Sequence, residues 1–503
     1  MRTSRPSGRP ASSSLVRAEP NSSRGFGAGP SRPLRVILAG GGHSHLAVLE
    51  DWQRNPLKGT ERILVTPSSR MIYSGMLPGW IEGLYRRSEL EIDIRSLAAA
   101  TDIQVIEDEV AALDADAKLL TLSSGKILDY DVLSLGVGGH LELSAFSGIK
   151  ALRPVRPIGR FMEQWEKFER SVAQSGPSQI AVVGGGAAGT ELAFAVASRF
   201  QDNPVPPRIV LITGQDGLLA GHACGVRERA RVALEGRGVE IQQTDLEVGE
   251  GGQLLHNGGS ARFDLVIAAT GSNPPRWLAD SSLMLGPGGG VSIGADLQSR
   301  SHREVFAAGD VSERADRRLA RSGVHAVKAG PILAANLRSF VRGDKLRPYS
   351  PRKRTLYLLS TGDRNAILSW GSLSVQGSWV WHLKDWIDRR FVMHFQRLAV
   401  SGRADLRRTT LARAMLSPSV VRTALQVSLV VGTCLNAINQ GDELLSGEAV
   451  SWGRIALNYL VPFLVASFSG ARARQTMESA MPFRRSKATE TNRSDPFDQE
   501  TST

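Results

Sequence analysis

The chain has 503 residues, a length that corresponds to about two to four domains. Of these residues 42% are hydrophobic and 22% are charged, a composition that is typical of a packed core and excludes general disorder. Its two cysteines, Cys224 and Cys434, are 210 positions apart, which excludes a disulfide scaffold, a CxxC redox pair and a cysteine-rich zinc site. The net charge of +12 comes from the ends, because residues 36–345 carry −3. This distribution argues against nucleic-acid binding, which usually needs a basic folded domain, and favours a membrane surface.

The segment 1–34 is rich in Arg, Ser and Pro and contains a single acid, Glu19. Such a composition cannot build a core, so we expect a disordered tail. The tail is either a plain flexible segment or a transit-peptide-like targeting segment. It contains no apolar stretch typical of a secretory signal.

From residue 34 onward, short apolar runs alternate with helical segments, and the same order of elements occurs twice. Strands are predicted at 34–39, 63–65, 103–110, 119–122, 132–135, 179–183 and 209–212, with helices at 44–52, 160–173 and 190–200. Alternating strands and helices predict parallel sheets covered on both faces. The fold class is therefore α/β, with two units in tandem.

A glycine-rich loop follows the first strand of each unit. The first loop, Gly40-Gly41-Gly42-His43-Ser44-His45, matches G-x-G-x-x-G except at His45, whereas the second, Gly184-Gly185-Gly186-Ala187-Ala188-Gly189, matches fully. The motif brings the backbone close to a pyrophosphate and directs a helix N-terminus at it. Neither unit has an acid at the end of its next strand, at 66–68 or at 213–214, so NAD and NADP both stay open.

Two dinucleotide loops imply two nucleotides, and the simplest pair is a tightly held flavin with an exchanging nicotinamide. Two later segments support this pairing, because 265–271 reads as a buried strand ending in Thr270-Gly271 and 305–310 as one ending in Gly309-Asp310. The predicted cofactor is FAD, and NAD(P)H is the predicted substrate.

This ordered set of motifs resembles the FAD- and NAD(P)-dependent pyridine nucleotide-disulfide oxidoreductase superfamily over residues 35–400, and its type II NADH dehydrogenase-like branch in particular. The first loop and segment 73–79 are similar to the flavoprotein module fused to selenide, water dikinase. The resemblance implies an FAD domain split by an inserted NAD(P) domain. It assigns cofactor binding to Gly40, Gly42, His43, His45, Gly184, Gly186, Gly189, Thr270, Gly271, Gly309 and Asp310.

The resemblance also places segment 323–328 on a helix beside the flavin ring. His325 and Lys328 are therefore the candidate catalytic residues, the alternatives being a packed histidine and a solvated lysine. Disulfide reductases of this fold place a cysteine pair near 74–78, but no cysteine is present there, so electrons must leave the flavin directly. Type II dehydrogenases reduce a membrane quinone, yet the glutamine expected near 325–328 is absent. No metal site is predicted.

Two uncharged apolar stretches, at 423–438 and 455–471, lie near the carboxyl terminus. Arginines flank their outer ends, and the connection 439–452 has no basic residue. This pattern predicts a two-span hairpin in the lipid bilayer with both ends cytoplasmic, at the inner or plasma membrane. The alternatives are buried core helices or a soluble dimer interface.

The hairpin, over about residues 418–475, is similar to the small NrtS-type nitrate/nitrite transporter, on the segments 431–442 and 459–463. Its polar residues either form hydrogen bonds between the helices of a membrane anchor or face a pore. Two helices cannot enclose a pore, so transport would require a homo-oligomer. A transport protein that the flavoprotein regulates or powers is therefore the alternative function.

The sequence thus predicts a membrane-bound FAD-dependent NAD(P)H dehydrogenase that passes electrons to an acceptor such as a quinone. The predicted domains are a tail at 1–34, an FAD-binding domain at 35–174 and 265–345, an NAD(P)-binding domain at 175–264, a small α+β domain at 346–400, a basic linker at 401–417, the hairpin at 418–475 and a disordered tail at 476–503.

Overall fold

Two five-stranded parallel sheets form the framework of the computed structural model, which describes residues 32–175, 178–245, 247–249, 253–256, 259–352, 354–446 and 452–480. Of the tails predicted at 1–34 and 476–503, residues 1–31 and 481–503 lie outside the described residues. Residues 476–480 are not a disordered tail, because they continue the last helix, and residue 34 begins the first strand. The helices are α1 (His43–Arg54), α2 (Leu77–Ile81), α3 (Ile94–Ala99), α4 (Ile158–Ser175), α5 (Ala187–Phe200), α6 (Cys224–Glu235), α7 (Gly323–Arg342), α8 (Ser378–Met415), α9 (Pro418–Ser446) and α10 (Trp452–Ala480).

In the amino-acid sequence, four strands of the first sheet precede the second sheet and one strand follows it. In spatial order they are Val305–Ala307, Val132–Leu135, Leu34–Ala39, Thr60–Thr66 and Gln104–Glu107. The second sheet consists of Leu152–Pro154, Leu265–Ala268, Gln179–Val183, Arg208–Ile212 and Val239–Gln242. The chain thus leaves the first sheet, builds the second and returns, which confirms the predicted split fold.

Smaller two- and three-stranded sheets accompany these two large sheets. They are Arg70–Ile72 with Glu91–Asp93; Val110–Asp114, Leu119–Leu122 and Ile127–Asp129; His140–Leu141 with Ser272–Asn273; Glu247–Val248, Leu254–His256 and Gly259–Ala261; and Val291–Ile293 with Ser312–Arg314. The strand predicted over 103–110 is in fact two strands of different sheets, because the chain leaves the first sheet after Glu107 and begins a new ladder at Val110.

The central strand of each sheet contains a continuous apolar run that is buried on both faces. Residues 36–39 of the first sheet and 180–182 of the second have no exposed surface. Burial on both faces is the expected environment for parallel strands, whose runs of Val, Ile and Leu do not alternate with polar residues. This packing fixes the carboxyl ends of the strands, where both glycine loops lie.

The region after residue 346 starts with a three-stranded antiparallel sheet, made of Leu356–Gly362, Asn365–Trp370 and Leu373–Gly377. The rest of the α+β region predicted over 346–400 is helical, because α8 begins at Ser378. The helix continues to Met415, so the segment predicted as a linker at 401–417 is largely helical as well. Gln396 Nε2 donates to the carbonyl oxygens of Ser88 and Glu91, which ties α8 to the first unit.

The helices α9 and α10 form a hairpin at the end of the described chain. Segments Pro418–Ile438 and Trp452–Arg472, each of 21 residues, are long and apolar enough to cross a membrane, with mean hydropathies of 1.4 and 1.2. Only 22% and 11% of their apolar windows are buried. A buried core helix would show the opposite, so both helices leave apolar faces open.

Candidate active site

The first glycine loop lies at the carboxyl end of the strand Leu34–Ala39, beside the end of a neighbouring strand. Gly40 has a φ of +100°, and a Cβ there would collide with the carbonyl group of Gly136. A Cβ on Gly42 would lie 2.9 Å from the same carbonyl oxygen. Gly42 precedes α1 and has no side chain to cap its first N–H groups. The loop therefore fits a pyrophosphate, as predicted for FAD.

His45, which replaces the third glycine of the motif, is fully buried behind this loop. Its Nδ1 donates to the carbonyl oxygen of Gly40 at 2.5 Å, and its Nε2 lies 2.8 Å from the hydroxyl of Ser134. Burial lowers the pKa of His45 to about 4, so the ring is neutral. Both ring nitrogens are engaged, so the structure corrects the predicted phosphate contact: His45 supports the loop from behind.

His43, Asp310 and the start of α7 come from distant parts of the chain and meet beside the first loop. A Cβ on Gly323 would lie 4.0 Å from the ring of His43. Asp310 is buried, and its Oδ2 lies 3.4 Å from a guanidinium nitrogen of Arg156. Burial and then the charge of Arg156 lower the pKa of His43 to about 4. The structure thus groups His43 with Asp310 and adds Arg156, which no motif indicated.

The second glycine loop has the same geometry at the end of the strand Gln179–Val183. Gly184 has a φ of +136°, and a Cβ there would collide with the carbonyl group of Ala269. Gly189 lies so close to the carbonyl group of Gly184 that no side chain fits. A Cβ on Gly186 would instead meet no described atom within 4 Å. The loop is therefore closely packed at Gly184 and Gly189 and open at Gly186, as a dinucleotide-binding loop requires.

Thr270 and Gly271 follow the next strand of the same sheet, Leu265–Ala268. Among the described residues, the buried hydroxyl of Thr270 has no hydrogen-bond partner. A Cβ on Gly271 would meet no described atom within 4 Å. An unpaired buried hydroxyl beside an open glycine fits the predicted ligand contact.

The two predicted catalytic residues lie on one turn of α7 but in different environments. His325 is half-buried, borders a cavity of about 510 Å³ beside Gly309 and lies 3.3 Å, through Nδ1, from the hydroxyl of Tyr349. Burial and then the charge of Lys328 lower the pKa of His325, which keeps its ring neutral. Lys328 itself is exposed. Their catalytic roles stay predictions.

A buried polar cluster that sequence reasoning missed connects the two glycine loops. The hydroxyl of Tyr73 donates to Asp388 at 3.1 Å, and Lys384 Nζ donates to the other oxygen of Asp388 at 2.7 Å. Lys384 Nζ also lies 3.9 Å from Glu191 Oε1, on the helix of the second loop. The ring of Tyr73 packs against His43, with 5.5 Å between ring centroids. The cluster thus runs from the first loop to the second.

Burial and charge set the protonation of this cluster. Burial alone lowers the pKa of Lys384, but the negative charges of Asp388 and Glu191 outweigh it and raise that pKa. Burial raises the pKa of Glu191. Because Asp388 is the nearer partner of Lys384, these two form the ion pair and Glu191 is the acid that most readily holds a proton. The spacing of four residues between Lys384 and Asp388 was the only sequence signal for this cluster.

The fold and the two loops define a flavoprotein-type oxidoreductase with two dinucleotide sites, and comparison with known proteins agrees. The family model of the pyridine nucleotide-disulphide oxidoreductases matches residues 34–330, more than half of the chain, so the chain belongs to that family. Membership confirms the predicted enzyme class, an FAD-dependent oxidoreductase that uses NAD(P)H.

Among relatives, the chain is 26% identical over 327 residues to the alternative NAD(P)H-ubiquinone oxidoreductase C1 of Arabidopsis thaliana, covering 56% of this chain and 62% of that protein. It is 23% identical over 372 residues to the demethylphylloquinone reductase NdbB of Synechocystis sp., covering 69% and 89%. The chain thus spans less than two thirds of the first of these.

Among solved structures, NDH2 from Plasmodium falciparum superposes with a TM-score of 0.60 at 13% identity, covering 73% of this chain and 98% of that one. At this identity the likeness shows the fold alone. The family match ends at residue 330, and the resemblances to a selenide, water dikinase fusion and to a nitrate/nitrite transporter are not confirmed.

Proposed function

We propose that the protein is a membrane-bound NAD(P)H dehydrogenase that passes electrons through FAD to a quinone. The observation that carries this proposal is the pair of glycine loops at the carboxyl ends of two parallel sheets, in each of which the first glycine has a positive φ and no room for a side chain. Bound FAD would take hydride from NAD(P)H and pass the electrons on to an acceptor. The protein has to hold both nucleotides and control protons.

The residues of the first unit hold one nucleotide. Gly40 and Gly42 leave room for a pyrophosphate, and the uncapped start of α1 offers N–H groups to it. Asp310, next to Gly309, would accept hydrogen bonds from ribityl hydroxyl groups, and the start of α7 would offer its positive dipole end to the flavin. Gly184, Gly186 and Gly189 hold the nicotinamide nucleotide in the same way.

A quinone acceptor is supported by two independent features. The relatives from Arabidopsis thaliana and Synechocystis sp. are named as reductases of ubiquinone and of demethylphylloquinone. A quinone takes two electrons and two protons, and the cluster of Tyr73, Lys384, Asp388 and Glu191 places groups that can hold protons between the two loops.

Membrane binding is supported by α8 as well as by the hairpin. Four large apolar side chains at intervals of seven residues, Trp379, Trp386, Met393 and Val400, are 54%, 57%, 45% and 64% exposed along α8. The guanidinium of Arg390 lies over the ring of Trp386. An exposed apolar stripe flanked by arginine is typical of a helix that lies in the membrane interface.

The interior of the hairpin favours an anchor over a transporter. Asn458 donates to Asn436 at 2.7 Å, and the hydroxyl of Ser428 donates to the carbonyl oxygen of Tyr459 at 2.6 Å. The ring of Tyr459 packs over Gly432, where a Cβ would collide with it. These polar groups bond across the two helices, as expected of a membrane anchor.

The test is an anaerobic titration of the full chain in detergent. We expect a flavin spectrum that bleaches on addition of NADH or NADPH, and recovery of the oxidised spectrum on addition of a quinone. A colourless protein would refute the FAD assignment. A flavin that neither nucleotide reduces would refute the assignment of the second loop.

A further inference from the structure

A row of buried polar atoms lies where α5, the end of α2, the turn after α6 and the strand Leu356–Gly362 pack together. Within the described part of the chain, none of these atoms has a hydrogen-bond partner. They are Glu82 Oε1, Ser198 Oγ, Arg237 Nε, Ser360 Oγ and Thr361 Oγ1. Thr361 is fully buried and Ser360 is 3% exposed, so bulk solvent does not reach them.

Buried polar groups in folded proteins are almost always hydrogen-bonded, and ordered water completes them where the protein does not. A buried water needs two to four polar partners, and this row offers several side by side. A Cβ on Gly362 would touch both the hydroxyl of Ser198 and the guanidinium of Arg237, which shows that these groups are adjacent. Bound water between these elements would complete the hydrogen bonds of the five unpaired atoms.

One end of this row reaches solvent and the other reaches the buried cluster. At the outer end, Arg237 pairs with Asp363 at 2.9 Å, and the side chain of Asp363 is 46% exposed. At the inner end, the backbone N–H of Ser360 donates to Glu191 Oε1 at 2.8 Å. Glu191 in turn lies 3.9 Å from Lys384 Nζ. The row therefore connects the surface with the space between the two loops.

Glu82 lies between the two ends and can take up or release a proton near neutral pH. Burial raises its pKa to about 7, and the negative charges of Asp363 and Glu191 add to this rise. The positive charges of Arg237 and Lys384 oppose it. These four groups lie on the separate elements that surround Glu82.

We propose that this row is a proton path, which carries one proton from solvent at Asp363, through bound water and Glu82, to Glu191. The path rests on the proposed function. NAD(P)H gives two electrons and one proton as hydride, whereas a quinone takes up two electrons and two protons to become a quinol. The overall reaction, NAD(P)H + H⁺ + quinone → NAD(P)⁺ + quinol, therefore consumes one solvent proton, and the path delivers it.

The variant Glu82→Gln keeps the shape of the side chain but cannot carry a proton. We expect it to slow the reduction of a water-soluble quinone by NADH at least about a hundredfold, the lower end of the range for loss of a proton-transfer group. Reduction of ferricyanide, which takes one electron and no proton, should be unchanged. Glu163→Gln, at an exposed glutamate of α4, is the matched control and should leave both rates unchanged.

The variant Thr361→Val removes one hydroxyl of the row at nearly constant shape and should show the same selective loss. A high-resolution crystal structure of the wild-type chain gives a readout independent of activity, and it should contain water bonded to Glu82 and Thr361. Selective loss of quinone reduction together with these waters supports the path. Unchanged quinone reduction in both variants, equal loss with both acceptors, or direct protein–protein pairing of the five atoms overturns it. A wild-type enzyme that oxidises NADH with neither acceptor refutes the proposed function instead.

Discussion

A side chain at Gly186 tests whether the second loop holds the nicotinamide nucleotide. A Cβ there meets no described atom within 4 Å, so Gly186→Val should change the free energy of unfolding by no more than about 0.5 kcal/mol. The added methyl groups would occupy the open side of the loop, which is the proposed position of the pyrophosphate. Loss of one hydrogen bond to a charged phosphate costs about 1.5–3 kcal/mol, or about 10- to 150-fold in Kd.

The assay measures NADH binding by anaerobic flavin reduction over a range of NADH concentrations, with FAD content and thermal unfolding recorded in parallel. We expect the FAD content and the melting temperature of the wild type with a Kd raised at least about tenfold. Gly453→Val, at another glycine with open space around it, is the control and should bind NADH normally. Wild-type NADH affinity in Gly186→Val would refute the reasoning.

Three further predictions concern the first loop and the membrane. His45→Ala should lower the free energy of unfolding by about 2–4 kcal/mol and release FAD, because the carbonyl oxygen of Gly40 and the hydroxyl of Ser134 lose their hydrogen-bond partner. Thermal unfolding and the release of flavin from the purified variant measure the two effects. In the folded chain His43 and His45 have pKa values of about 4, whereas a histidine of the unfolded chain has a pKa of about 6.5. Between these values the unfolded state binds more protons than the folded state, so the melting temperature should fall as the pH is lowered from 6.5 to 4. Removal of residues 418–503 should weaken sedimentation with membranes while leaving NADH-dependent ferricyanide reduction, and unchanged sedimentation would contradict the anchor.

The glycine loops of the proposed site can be recognised in the sequence because neighbouring residues encode them. Gly184 and Gly189 follow a buried strand within six positions, so a short window shows both the strand and the turn. Gly309 and Asp310 follow another strand in the same way. In such loops the required φ angles and close approaches restrict the sequence to glycine, which leaves a recognisable pattern.

The parts that sequence missed depend on contacts between distant segments. His45 was assigned to the phosphate because of its place in the motif, but Ser134, which binds its ring, lies 89 positions away. Lys384 meets Glu191 across 193 positions, a distance that no local pattern spans. Arg156, beside Asp310, belongs to no motif. Tertiary packing, rather than local propensity, decides these positions.

The helix α8 explains how one element can serve both the proposed site and the proposed membrane surface. Lys384 and Asp388 face the protein interior, with side chains 13% and 9% exposed. Trp379 and Trp386 are more than half exposed on the opposite side of the helix. An α-helix with its side chains is about 10–12 Å across. If α8 lies in the membrane interface as proposed, a quinone dissolved in lipid needs to move only about that distance to reach the polar cluster, so the enzyme need not release it into water.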